Sequence, residues 1–90
     1  MYKTKVWIHK NVEELSKNKA PFSIDYTFIN PPKEREIIKI TNEMAKDIAD
    51  KRLWKNEYGP GNYIIQTSAN MFKPKVNDGF SYSVMALKIE

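Results

Sequence analysis

The sequence predicts a small α+β fold, in which an antiparallel sheet of about four strands carries one long amphipathic helix on one face. Two observations predict it. Residues 2–10 and 22–29 alternate between apolar and polar side chains, with the period of two that half-buried strands show. Residues 31–56 instead space their apolar side chains three and four positions apart, as a helix with one buried face does. The predicted order is strand, strand, helix, strand, strand.

The first two strands are predicted from alternation alone. In the first, one face is apolar or β-branched and the other carries charge, an indole and an imidazole: Tyr2, Thr4, Val6 and Ile8 against Lys3, Lys5, Trp7 and His9. Asn11 follows as a turn or helix N-cap, and residues 12–17 are compatible with one helical turn. The second strand has the apolar face Phe22, Ile24, Tyr26 and Phe28 and the polar face Ser23, Asp25 and Thr27.

The long helix is predicted from about Pro31 to about Asn56. Asn30 is a suitable cap, and Pro31 suits a first helical position because its missing N–H would have no partner there. The apolar stripe is Ile37, Ile40, Thr41, Met44, Ala45 and Ile48. An alternative interpretation makes Glu36 to Thr41 a strand and begins the helix at Thr41, because β-branched residues favour strands.

The remaining chain predicts two more strands. Gly59-Pro60-Gly61 is expected to end the helix, since glycine adopts the left-handed conformation and proline cannot continue a helix. Residues 63–68 and 80–89 are predicted strands, joined by a loop over residues 69–79. The last strand is apolar on both faces in its second half, which is typical of a strand buried on both sides.

Composition limits the class of protein. Ninety residues predict one domain over 1–90, and the absence of cysteine excludes disulfides and thiolate metal sites. Fifteen Lys and Arg against eleven Asp and Glu give a net charge of +4. No apolar run approaches the ~20 residues that cross a bilayer, and residues 1–10 lack the apolar core of a signal peptide. We therefore expect a cytoplasmic protein with no membrane partner.

Catalytic and metal-binding motifs are not recognisable. His9 is the only histidine, and no cysteine or carboxylate cluster accompanies it at the spacing of a nucleophile–base pair or a metal site. The paired acids Glu13-Glu14 and Glu34/Glu36 fit helix-start electrostatics better than acid–base chemistry. We therefore expect no enzyme, no catalytic residue, no cofactor and no metal.

Three basic–aromatic groups are the candidate partner-binding sites. One helix cannot cover both faces of a sheet, so the first strand's polar face is expected to stay open. The candidates are Lys3, Lys5, Trp7 and His9 on that face, Lys51, Arg52, Trp54 and Lys55 at the helix end, and Phe72, Lys73 and Lys75 in the loop. In the alternative interpretations, residues 11–20 or a second copy cover Trp7, Trp54 turns inward, and Phe72 fills the edge of the core.

These features predict a non-enzymatic binding protein. Its small size and its richness in lysine, asparagine and isoleucine suit a phage or mobile-element protein that occludes a host protein, such as a nucleic-acid-handling or defence enzyme, in the style of anti-CRISPR proteins. The alternative is a nucleic-acid-binding module that uses the basic–aromatic sheet face. A net charge of only +4 and an acidic central segment favour the protein partner. A homodimer through the open sheet is compatible with either function.

Overall fold

A curled, half-barrel sheet dominates the structure, a computed structural model that describes residues 2–17, 20–66 and 82–89. The elements in chain order are β1 (Tyr2–His9), α1 (Val12–Ser16), β2 (Ser23–Phe28), β3 (Ile37–Ile40), α2 (Lys51–Leu53), its π-helical continuation (Trp54–Tyr58), β4 (Gly61–Ile65) and β5 (Tyr82–Lys88). The five strands form one mixed sheet in the order β2-β1-β5-β4-β3.

The predicted fold class is therefore wrong: the sheet has five mixed strands, and no long helix spans residues 31–56. Residues 37–40 form β3 and residues 42–47 form turns, and within the stretch 31–58 helix occurs only over 51–58. The alternative interpretation was right about the strand and wrong about a helix from Thr41. In the turns, Ala45 N donates to Asn42 O and Ile48 N to Ala45 O, and these i→i−3 bonds do not propagate a helix.

The β-branched run explains why β3 forms where a helix was predicted. Isoleucine loses side-chain freedom in a helix and packs well on a pleated surface. Ile38 and Ile40 are both buried, two positions apart, while Ile37 and Lys39 are exposed. The buried side chains here recur every two residues, as in a strand, although the apolar residues of the same sequence also fit the helical period of 3.6.

The centre of the sheet is the pair of β1 and β5. They run parallel, in a register that places Val6 opposite Val84 and Ile8 opposite Ala86. β2 pairs antiparallel on the far side of β1, and β4 pairs antiparallel on the far side of β5. β5 has sheet neighbours on both edges, but only its inner-face residues Val84 and Ala86 are buried, while Met85 and Leu87 on the other face are half-buried, so the strand is not buried on both sides as its apolar sequence predicts.

The core lies on the inner face of the sheet, beneath residues 41–58. Trp54 and Tyr58 of the π-helical segment are buried against it, and the Phe22 ring meets both edge-on, with centroid distances of 6.2 Å and 4.9 Å. The Trp54 indole N–H donates to Asn42 Oδ1 at 3.0 Å, so its polar group is satisfied within the core.

The start of α1 and the end of the second helical segment lie where the sequence predicts, whereas the predicted helix start at Pro31 is wrong, because α2 begins at Lys51 with Asp50 as its N-cap. Glu14 N donates to the Asn11 side chain at 2.8 Å, which confirms Asn11 as the N-cap of α1. Gly59 follows Tyr58 with φ 72°, a backbone conformation that favours glycine, and it ends the π-helical segment. No helix among the residues that the structure describes is long and apolar enough to span a membrane.

Among the residues that the structure describes, one non-glycine residue adopts the left-handed conformation. Arg35 has φ 72° in the turn that leads into β3, where Glu36 N donates to Lys33 O at 3.1 Å. The same turn is fixed to β4, because Arg35 N donates to Ile65 O and Ile65 N to Glu36 O. A side chain in this region costs ~1–2 kcal/mol, so the turn carries local strain.

Arg35→Gly is expected to raise the free energy of unfolding by up to about 1 kcal/mol, because relief of the left-handed strain outweighs the added flexibility of the unfolded chain. Chemical denaturation of the two proteins measures the difference. Lys33→Gly in the same turn is the control and is expected to be neutral or destabilising. A loss of stability in Arg35→Gly would refute the strained turn.

Candidate functional site

The outer face of the sheet is the candidate site, and strand alternation defines it. Apart from His9, the buried residues of the strands point to the inner face, so the residues between them point outward. The outer positions are Lys3, Lys5 and Trp7 on β1, Ser23, Asp25 and Thr27 on β2, Ile37 and Lys39 on β3, Asn62 and Ile64 on β4, and Ser83, Met85 and Leu87 on β5.

Trp7 lies near the middle of this face. Its side chain is 36% exposed, and its indole N–H donates to Ser83 Oγ on the neighbouring strand at 3.0 Å. Lys5 Nζ lies 5.7 Å from the ring centroid, within the range of a cation–π contact. The indole is therefore held in one orientation while part of its surface stays open to solvent.

Apolar side chains continue from Trp7 across the sheet. Trp7 is opposite Met85. Two residues farther along β5, Leu87 is opposite Ile64 of β4, and Ile64 is in turn opposite Ile37 of β3. Opposed residues point to the same side of a sheet, so these side chains are neighbours. We call these five residues the outer-face band. Ile37 ends it at the sheet edge and is 58% exposed.

The charges around the band are mostly positive. Lys3 and Lys5 precede Trp7 along β1, and Lys39 follows Ile37 on β3, while Asp25 is the one acid among the outer positions named above. Asp25 lies directly opposite Lys5. The rim of the face therefore has three lysines against one aspartate, which favours a partner surface rich in carboxylates.

Two predicted site residues are buried. His9 is 0% exposed at the end of β1, and its Nδ1 lies 3.1 Å from Ala86 O; since a carbonyl only accepts, Nδ1 is the protonated nitrogen. Its Nε2 is buried without a hydrogen-bond partner in the described structure. Trp54 is 5% exposed and lies in the core. Neither ring forms part of the outer surface.

The second and third predicted clusters do not join the first. Lys51, Arg52 and Lys55 are exposed, but their segment packs over the inner face of the sheet, away from Trp7. Phe72, Lys73 and Lys75 lie outside the described residues. Of the predicted site residues, the structure brings together Lys3, Lys5 and Trp7.

A polar network that sequence reasoning missed joins α1 to the π-helical segment. The Tyr58 hydroxyl lies 2.7 Å and 2.8 Å from the two oxygens of Glu14, Lys10 N donates to the same carboxylate, and Lys10 Nζ pairs with Glu57. Burial, and next the hydrogen bond to Glu14, raise the pKa of Tyr58 far above its usual value of 10.0. A phenol held protonated in this way donates a hydrogen bond and is unsuited to act as a base.

Metal chemistry has no support in the described ranges. No group of three or more His, Asp or Glu side chains lies close enough to hold an ion there, and the whole chain lacks cysteine. The carboxylates that approach one another, such as Glu14 and Glu57, are occupied by Tyr58 and Lys10.

Comparison with known proteins gives no further guide. No protein-family model, curated protein or solved structure matches the chain. The function is therefore inferred from the residues of the outer face.

Tryptophan fluorescence is expected to separate the two indoles. Trp7→Phe leaves Trp54 as the only tryptophan, so its emission should be blue-shifted and weakly quenched by acrylamide, whereas the wild-type protein keeps a readily quenched component from Trp7. A Trp7→Phe protein as strongly quenched as the wild type would contradict the burial of Trp54.

Stability is expected to fall as pH rises above 10. Burial also raises the pKa of Tyr63, so Tyr58 and Tyr63 both keep their protons in the folded protein while the unfolded chain loses them near pH 10.0. The unfolded state then binds fewer protons, and the free energy of unfolding decreases with pH. Denaturation at several alkaline pH values measures this slope, which should be shallower in Tyr58→Phe. An equal slope in the two proteins would contradict the raised pKa of Tyr58 in the folded protein.

Proposed function

We propose that this chain is a non-enzymatic binding protein whose outer sheet face docks onto another protein and occludes part of its surface. The observation that supports the proposal is the outer-face band, in which Trp7 and Met85 continue through Leu87 and Ile64 to Ile37. Contiguous apolar surface on the outside of a small protein is costly in water unless a partner covers it.

The composition of the band suits the centre of a protein interface. Such centres are enriched in aromatic residues and methionine, and tryptophan is common among the residues that contribute most to affinity. Trp7 is suited to be an anchor because its contacts with Ser83 and Lys5 fix the ring before binding. A side chain that is already ordered loses less conformational entropy when the partner arrives.

The lysine rim specifies the chemistry of the partner. We infer a protein surface with an apolar centre bordered by aspartate and glutamate, because Lys3, Lys5 and Lys39 outnumber Asp25 on this face. The same excess of charge disfavours a homodimer formed face to face, since two copies would oppose lysine to lysine. A second copy of this chain therefore fits the outer face less well than an acidic protein partner does.

Direct binding of nucleic acid is the alternative, and it has less support. Lys5 lies over the Trp7 ring, so a base could stack there only by displacing the lysine. The aliphatic residues Ile37, Ile64 and Leu87 neither neutralise phosphates nor present a plane for stacking. Lys51, Arg52 and Lys55 form a separate basic patch that could contribute to such binding.

The proposed biological setting is that of a phage or mobile-element protein acting on its host. The lysine-, asparagine- and isoleucine-rich composition fits a gene of low GC content. A host enzyme that handles nucleic acid or serves in defence is the proposed target. Occlusion requires only a complementary surface on this chain.

The test is affinity capture from host-cell lysate with the tagged protein, before and after nuclease treatment. A partner that uses the band should survive nuclease and be lost with Trp7→Ala, which removes a central anchor worth ~2 kcal/mol or more, a roughly thirtyfold loss of affinity.

The matched control is Ile29→Ala, which removes an exposed apolar side chain elsewhere, 80% exposed. It should leave capture unchanged. A partner captured equally by Trp7→Ala would refute the proposal. Loss of the partner with nuclease, together with salt-sensitive binding of a mixed-sequence oligonucleotide, would transfer support to the nucleic-acid alternative.

A further inference from the structure

We propose that the open edge of β3 accepts an extended segment of the partner as an additional strand. This inference rests on the proposed function, and it names the kind of contact that the partner makes. β3 is the last strand of the sheet, and β4 occupies only one of its two edges. An edge strand presents unpaired backbone N–H and C=O groups, which are a template for another strand.

The hydrogen-bonding pattern identifies which groups are available. Ile65 N donates to Glu36 O, so residue 36 faces β4. Backbone groups alternate along an antiparallel strand, so Ile38 and Ile40 also face β4, while Ile37 and Lys39 direct their N–H and C=O groups away from the sheet. Neither residue has a hydrogen bond from those groups to any described part of the chain.

The side chains at these two positions define what the added strand should carry. Ile37 is exposed and ends the outer-face band, so an apolar residue opposite it would extend the band onto the partner. Lys39 is exposed on the same face, so a glutamate or aspartate opposite it on the added strand would meet its ammonium group. The fitting segment is therefore extended, apolar at one position and acidic two positions away.

The same features disfavour a second copy at this edge. Two β3 strands that pair antiparallel through Ile37 and Lys39 gain only about four backbone hydrogen bonds. That pairing leaves the two Lys39 side chains as diagonal neighbours on one face, where like charges repel. A lysine on a short edge strand is a common device against self-association, and it selects an acidic strand for the same reason.

The probe is a short capped peptide in which valine and glutamate stand two positions apart with threonine between them, as in Val-Thr-Glu-Thr-Val, so that both lie on one face of the added strand; it is added at up to about millimolar concentration. Binding should slow hydrogen exchange at the Ile37 and Lys39 amides, measured by NMR, and leave the amides of Ile38 and Ile40 unchanged. Lys39→Pro removes an outward N–H without breaking a bond to β4, which an edge strand tolerates. It should weaken peptide binding about tenfold or more.

Lys39→Thr is the matched control. It keeps the N–H and removes the charge, so it should weaken binding less than Lys39→Pro does. The same peptide with lysine in place of glutamate should bind more weakly to the wild-type protein. Absence of protection at both amides, equal affinity for the Lys39→Pro variant, or self-association of the free protein through this edge would overturn the inference.

The two proposals fail separately. Trp7→Ala should leave peptide binding unchanged, because the peptide occupies the edge of β3 and not the centre of the face. A captured partner that depends on Trp7 but is indifferent to Lys39→Pro would overturn the strand addition and leave the proposed function standing. Peptide binding at the β3 edge, with no captured partner that depends on Trp7, would overturn the proposed function and leave the strand addition standing.

Discussion

The parallel pairing of β1 with β5 is the constraint on which the rest of the structure depends. It brings the first and last described strands together at the centre of the sheet, with Val6 opposite Val84 on the inner side and Trp7 opposite Met85 on the outer side. The inner row becomes core because residues 41–58 cover it. The outer row is continuous with Leu87, Ile64 and Ile37 through the antiparallel pairings of β5, β4 and β3. Without this central pair, the outer-face band would be two unconnected groups.

Four of the five strands could be predicted from the sequence, because alternation along β1 and β2 and the flanks of Gly59-Pro60-Gly61 are local signals. The structure of residues 37–48 could not be predicted, because Ile37, Ile40 and Ile48 fit a helical stripe while Ile38 and Ile40 fit the buried face of a strand. What decides between them is tertiary: β4 pairs with Ile38 and Ile40, and that pairing selects the strand. Propensity alone could not reveal that pairing.

The candidate site divides in the same way. Lys3, Lys5 and Trp7 share a face because they alternate within one strand, so their grouping is visible in the sequence. The aliphatic half of the band is not, because it depends on strand order and register across three further strands. His9 follows the same alternation, yet its ring is buried at the strand end against Ala86 O, and Trp54 is drawn inward by Phe22 and Asn42. Burial at element ends reflects packing that no periodicity encodes.

Nuclear Overhauser contacts between β1 and β5 are the decisive test of the parallel central pair. Isotope-labelled protein should show cross-strand contacts in a parallel register, between Val6 and Val84, Trp7 and Met85, and Ile8 and Ala86, with strand-type contacts from Ile38 to Tyr63. An antiparallel β1–β5 ladder, or a continuous helical pattern through residues 37–49, would contradict the outer-face band, because the indole and the aliphatic row would then no longer share one surface.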